Sequence, residues 1–284
     1  MNKQHVFVNF KRFDVPLSMG GVNRTGSIEH WAEDIIGKVI DELEPYSPDE
    51  VRFAMYFPES QIISAVRAKG KSRALEIGSQ GVYRYDVRQG GNFGAFTTLR
   101  PASIVSAMGC STTIIGHCEE RNEKRDLLTA AGCSDFTAIN KVLNEEILRA
   151  QERNLSVLYC IGEREEETDI WDSVIRKQLR DGLSGADLSR IVIGYEPVWS
   201  IGPGKTPAGK EYITKVARLV KDTVGDVPVV YGGGLKEDNA AMLAGIEEID
   251  GGLIALTRFK GEIGFYPEEY LNIVSTYMNA KRGE

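Results

Sequence analysis

Eight short apolar runs, separated by stretches of helical character, predict an α/β protein built on a parallel sheet, either closed as a (β/α)8 barrel or left open and doubly wound. Three observations carry this. The runs are apolar throughout rather than alternating, as expected of strands covered on both faces. The stretches between them place apolar residues at helical spacing. The chain has 284 residues, which suits one barrel of typically ~250 residues, and no linker-like stretch divides it, so residues 1–284 read as a single domain.

The strands are expected at residues 6–10, 51–56, 74–77, 112–115, 155–161, 191–195, 227–231 and 252–256. The third is weak on its own. Helices are expected at 28–43, where Trp31, Ile35, Ile36, Val39 and Ile40 form an apolar stripe, and at 138–153, 171–183 and 209–224. No internal repeat or low-complexity segment interrupts the pattern.

Composition narrows the function classes. Hydrophobic residues are 42% and charged residues 26%, as in ordinary globular chains rather than disordered ones. The formal charge of −7 lacks the basic footprint of a nucleic-acid binder and disfavours anionic membranes. No apolar run is long enough to cross a bilayer, and the N-terminal run is too short for a signal-peptide core. Cys110, Cys118, Cys133 and Cys160 match no zinc spacing and read as reduced thiols of a cytoplasmic protein. With three histidines, a metal site would need carboxylates to do most of the work, and no suitable cluster is apparent.

In a barrel, chemistry sits where strands end. Those ends carry Asn9 and Lys11, His117 and Glu119, Glu163, Glu196, and Gly232-Gly233-Gly234. Glu196 opens the segment Tyr195-Glu196-Pro197-Val198-Trp199-Ser200-Ile201-Gly202-Pro203-Gly204. It reads either as a base beneath a water-excluding lid or as a solvated glutamate on a surface loop. His117 precedes a polar stretch able to start a helix, whose N-terminus disfavours imidazolium. It reads as a neutral hydrogen-bond donor or as a structural histidine. Glu119 orients its neighbours or pairs with Lys11 or Arg121. Lys11 neutralises an anion in the mouth or snorkels at its rim. The glycine triplet offers backbone N–H groups to an anion or makes a tight turn.

Together these motifs resemble the triosephosphate isomerase family. Asn9-Phe10-Lys11, Gly94-Ala95-Phe96-Thr97, Ile114-Ile115-Gly116-His117, Cys160-Ile161-Gly162-Glu163, the Glu196 segment, Tyr231-Gly232-Gly233, Asp250-Gly251 and Pro267-Glu268-Glu269 follow in the family's order over about residues 6–274. The resemblance implies a (β/α)8 TIM barrel of eight parallel strands and an aldose–ketose isomerase acting on a small phosphorylated sugar without cofactor or metal. Glu196 would move the carbon-bound proton, and His117 would polarise the carbonyl. Lys11, positioned by Asn9, would stabilise the enediolate, with Glu119 beside them. Ile201 and Leu253 would clamp the carboxylate. Gly202, Gly233 and Gly234, with Ala255 and Leu256, would line the phosphate site. A homodimer is expected, its third loop reaching the partner's site.

The departures concern the substrate. Gly234 stands where the family has serine, and Ala255 and Leu256 align with two phosphate-binding glycines. Leu256 would crowd a phosphate unless the loop shifts, and Thr257, Arg258 and Lys260 read either as a side-chain grip in place of the backbone one or as a solvated loop. Residues 13–25, 85–93 and 261–266 lengthen the first, third and eighth loops. Gly81 replaces an asparagine, while Gln80 is kept, and Cys118 replaces a serine. These changes leave three further readings: an isomerase of a tetrulose phosphate, a non-catalytic metabolite-binding barrel, and a glycosidase using Glu163 and Glu196.

Overall fold

The structure, a computed structural model, describes residues 2–201 and 205–283. Eight parallel strands close into a barrel in chain order. They are β1 (Gln4–Asn9), β2 (Val51–Phe57), β3 (Leu75–Ser79), β4 (Thr112–Ile115), β5 (Ser156–Ile161), β6 (Ile191–Tyr195), β7 (Val229–Tyr231) and β8 (Gly251–Ile254). Closure comes from β1 pairing β8, with Phe7 opposite Leu253 on one side and Ala54 on the other. The open, doubly wound alternative is thereby removed.

Side chains fill the barrel. Phe7, Ala54, Tyr56, Ile114, Leu158, Cys160, Val192, Val230 and Leu253 form an interior cluster. A larger apolar layer lies between the strands and the surrounding helices. The interior is therefore solid, and ligand chemistry is confined to its rims.

The outer helices are α1 (Trp31–Leu43), α2 (Glu59–Lys69), α3 (Ala102–Ala107), α4 (Cys118–Ala130), α5 (Thr137–Glu152), α6 (Trp171–Gly182), α7 (Lys210–Val224), α8 (Ala240–Ala244) and α9 (Pro267–Arg282). The four expected helices correspond to α1, α5, α6 and α7. None of the described helices is long and apolar enough to cross a membrane. The four cysteines are free thiols.

Most strand ends lie one or two residues from expectation, and two of these shifts have a clear consequence or cause. β7 starts at Val229 because Pro228 has no N–H for the ladder, although its carbonyl accepts from Ile193 at 2.8 Å. β8 ends at Ile254, so Ala255 and Leu256 belong to the following loop and are half-buried.

The longer third loop folds partly onto its own chain. Asp86 is buried, accepts from the Val87 and Ser103 amides at 2.8 and 3.1 Å, and pairs with Arg153 beyond α5 at 2.5 Å. Its tip residue Phe93 is 84% exposed. The longer eighth loop is also tied down. Arg258 donates to Glu269 of α9 and lies 3.7 Å from the Tyr266 ring centroid, while Thr257 Oγ1 accepts from the Tyr266 amide at 2.8 Å.

Candidate active site

The carboxyl ends of β1, β4, β5 and β6 bring the chemically distinctive residues to one rim. Asn9 ends β1 and is buried. Its Oδ1 accepts from the Lys11 amide at 3.0 Å. Lys11 has φ +44°, a conformation that costs an L-residue roughly 1–2 kcal/mol. Gln80, just past β3, helps hold that backbone: its side-chain amide donates to Lys11 O at 2.9 Å and to Asn9 Oδ1 at 3.2 Å. The Lys11 side chain is half-buried, and among the described residues no carboxylate pairs with its ammonium. Its positive charge acts on the Cys118 thiol across the rim.

His117 is the N-cap of α4. Its Nδ1 accepts from the Glu119 amide at 3.3 Å. A ring nitrogen accepts only through a free lone pair, so this arrangement leaves the imidazole proton on Nε2. That nitrogen lies 3.4 Å from Glu196 Oε1. The other carboxylate oxygen of Glu196 accepts from the Cys118 amide at 2.8 Å. Glu196 is only 3% exposed and follows β6, anchored by its own amide to Ile161 O at 2.8 Å.

Two glycines make room for this carboxylate. A Cβ on Gly162 would sit 1.7 Å from Glu196 O, and one on Gly232 would sit 2.7 Å from Glu196 Cγ. Neither position tolerates a side chain without displacing Glu196.

Glu163 is fully buried and faces hydrogen-bond donors rather than the mouth. Its Oε1 accepts from Trp199 Nε1 at 2.6 Å, Tyr195 Oη at 3.0 Å and Tyr212 Oη at 3.1 Å. Burial first, then the neighbouring carboxylate, pushes both tyrosine hydroxyls above their ordinary range. Both therefore remain donors.

Cys118 presents its sulfur 3.9 Å from His117 Nε2. Burial, then the Glu196 carboxylate, pushes its thiol up to about 12. Sequence reading treated Cys118 only as a serine replacement, and no local spacing signals its approach to Glu196.

The remaining expected residues fall as follows. The Glu119 side chain is exposed, and among the described residues it pairs with neither Lys11 nor Arg121; its contribution is its amide. Arg121 instead donates to the carbonyls of Gly116 and Cys160 and to Asn140. Glu120, missed in the sequence, accepts from the Gly116 amide at 2.7 Å and from Lys124 at 2.6 Å. Ile201 is half-buried, and Leu253 is buried in the barrel interior. Gly202, Pro203 and Gly204 lie outside the described residues.

Beside the end of β6, Gly233 and Gly234 follow β7, with Gly234 at φ +105°. The Lys236 chain lies beside it, its Cε 3.5 Å from where a Gly234 Cβ would be. Lys236 Nζ is 4.3 Å from the Phe259 ring centroid. Thr257 and Arg258 are hydrogen-bonded within the eighth loop and to α9, respectively.

Comparison with known proteins agrees with this geometry. The profile described as triosephosphate isomerase matches residues 26–275. Triosephosphate isomerase of Pelodictyon phaeoclathratiforme is 40% identical over 174 residues, 57% of this chain, and that of Chlorobium phaeobacteroides (strain DSM 266 / SMG 266 / 2430) is 39% identical over 173. The match spans 64% of the length of each of these relatives. The corresponding protein of Prosthecochloris aestuarii is 32% identical over 236 residues, covering 78% of this chain and 85% of the relative. The crystal structure of triosephosphate isomerase from Bartonella henselae superimposes with a TM-score of 0.71 over 97% of this chain and 99% of that one, at 21% identity, a likeness of fold. By its profile match and these relatives, the chain belongs to the triosephosphate isomerase family.

Proposed function

We propose that this protein is an aldose–ketose isomerase that interconverts dihydroxyacetone phosphate and glyceraldehyde 3-phosphate through an enediolate. The observation that carries the reading is the contact between Glu196 Oε1 and His117 Nε2 at 3.4 Å, with His117 Nδ1 occupied by the Glu119 amide. A buried carboxylate beside an imidazole N–H supplies a base and a donor to a developing oxyanion. This family is itself the known example of that pairing.

In this mechanism Glu196 takes a proton from the carbon next to the carbonyl and returns it to the neighbouring carbon. His117 donates from Nε2 to the carbonyl oxygen and shuttles the proton between the two oxygens. Lys11 offsets the negative charge of the enediolate and phosphate. Glu196 Oε2 is held by the Cys118 amide, so the base must leave that contact to reach carbon. Lid closure, with Ile201 and Leu253 against the carboxylate, would deliver it and exclude water.

The phosphate would rest on the Gly233 and Gly234 amides, with Gly202 completing the site from the lid and Lys236 near the anion. A homodimer using the exposed third-loop tip, in the cytoplasm, accompanies this reading. Glu163 does not support a glycosidase pair, because it is fully buried and its Oε1 is committed to three donors.

A four-carbon ketose phosphate is the second reading. Ala255 and Leu256 favour it, since side chains occupy the loop where family members carry glycines. The test is incubation with dihydroxyacetone phosphate in heavy water, following loss of the carbon-bound proton by NMR, with Glu196→Gln as control. Exchange that disappears in the variant supports the triose reading. Its absence in the native protein overturns that reading, and exchange of a tetrulose phosphate would then support the second.

A further inference from the structure

We propose that His117, Cys118 and Glu196 form a binding site for a thiophilic divalent cation of the zinc class, and that this cation reversibly shuts the mouth. The ligand atoms of the three residues lie within 4.8 Å of one another. His117 Nε2 is 3.4 Å from Glu196 Oε1 and 3.9 Å from Cys118 Sγ.

A tetrahedral zinc with bonds of about 2.0–2.1 Å to nitrogen, ~2.1 Å to oxygen and ~2.3 Å to sulfur separates nitrogen from oxygen by roughly 3.4 Å and nitrogen from sulfur by roughly 3.6 Å. The histidine–carboxylate edge already has that length. The nitrogen–sulfur edge is too long by a few tenths of an ångström, and the sulfur–oxygen edge, within 4.8 Å, must close to roughly 3.6 Å, so the thiol has to swing toward Glu196.

The donor set also selects the ion. Imidazole with thiolate suits zinc, whereas magnesium and calcium prefer all-oxygen sites. Three protein ligands leave a fourth position for water. The Cys118 amide, bonded to Glu196 Oε2 at 2.8 Å, orients the carboxylate as outer-shell partners orient metal ligands.

Three features oppose binding and set its strength. Burial and the Glu196 carboxylate hold the proton on the Cys118 thiol. The Lys11 ammonium favours the thiolate but repels a cation. Coordination through Nε2 also moves the ring proton to Nδ1, which breaks the 3.3 Å bond from the Glu119 amide. The thiol proton leaves to solvent, so one proton is released per cation bound.

A bound cation would occupy the proposed base and electrophile together. The thiol makes this site soft; a serine at position 118 would leave only a nitrogen and oxygen ligands.

The experiment is titration of the full chain with cobalt(II), following the thiolate-to-cobalt charge-transfer band. One equivalent is expected to produce the band in the native protein. Cys118→Ser and Cys118→Ala should lose it and bind cobalt at least tenfold more weakly, with circular dichroism confirming that both variants fold. This readout does not depend on turnover, so it stands apart from the isomerase reading. If the protein proves to be an isomerase, zinc should inhibit it, a chelator should restore it, and Cys118→Ser should need at least tenfold more zinc. No thiolate band in the native protein, or metal affinity in both variants equal to that of the native protein, overturns the proposal.

Discussion

Trp199 Nε1 donates to Glu163 Oε1 at 2.6 Å, which ties the segment following Glu196 to the end of β5. Tyr195 and Tyr212 donate to the same oxygen, while Glu163 Oε2 is buried without a hydrogen-bond partner among the described residues. Trp199 is therefore held to a buried carboxylate that one strand residue and one helix residue also hold. Tyr212 also stacks edge-on against Trp199, with ring centroids 5.4 Å apart.

Removing the Tyr212 hydroxyl should loosen this anchor without emptying it. Tyr212→Phe is expected to lower stability by about 1.5–3 kcal/mol, the range for a hydrogen bond to a charged group. It should also shift Trp199 fluorescence and alter KM and kcat unequally. Urea denaturation with steady-state kinetics checks both. An unchanged fluorescence and kinetic profile would leave Tyr212 with a purely structural part.

Gly232→Ala tests how closely Glu196 is packed. The added methyl would meet Glu196 Cγ at 2.7 Å and Tyr195 O at 2.8 Å. Displacing a reacting group by about 1 Å can cost on the order of 100-fold in rate. A fall in kcat of that size is expected while the barrel still folds. Native turnover in the variant would mean that Glu196 does not act from this position.

Gln80→Ala addresses Lys11. Without the Gln80 amide, the φ +44° backbone of Lys11 loses its bond to the carbonyl at 2.9 Å. One lost hydrogen bond of about 1–1.5 kcal/mol corresponds to roughly tenfold in kcat/KM. The expected loss should appear with phosphorylated substrate, measured by initial rates at fixed ionic strength.

Glu146 should make stability fall as pH rises. Burial, then the negative Glu120, pushes its carboxyl up to about 10. The folded state thus holds a proton that the unfolded state releases near 4.5. Its stabilising contribution is complete below pH 4.5 and is lost progressively as pH rises towards about 10. Glu146→Gln mimics the protonated acid, so it should flatten this slope and be relatively more stable at pH 9. Guanidinium denaturation across that range decides it; parallel slopes in the two proteins would refute the assignment.

Much of the barrel was legible because its strands and larger helices carry continuous physical signals. β5 and β6 are apolar runs, and α1, α5, α6 and α7 have one buried stripe each. α4 has no buried residue, so periodicity could not mark its length; the His117 cap marks its start. α9 was missed although Tyr270, Ile273, Val274 and Tyr277 repeat at helical spacing after Pro267. There the signal existed and went unread.

The site divides in the same way. Asn9, Lys11, His117 and Glu196 stand at strand ends in recognisable motifs, so their types and places could be named from the chain alone. The donors on Glu163 come from β6, the lid segment and α7, and the Cys118 amide reaches a carboxylate 78 positions away. The sequence by itself determined the alternation of buried strands and amphipathic helices, and which residues end those strands. Tertiary structure decided which of these meet: barrel closure sets the rim distances, and the directions of hydrogen bonds then choose partners that no local spacing encodes.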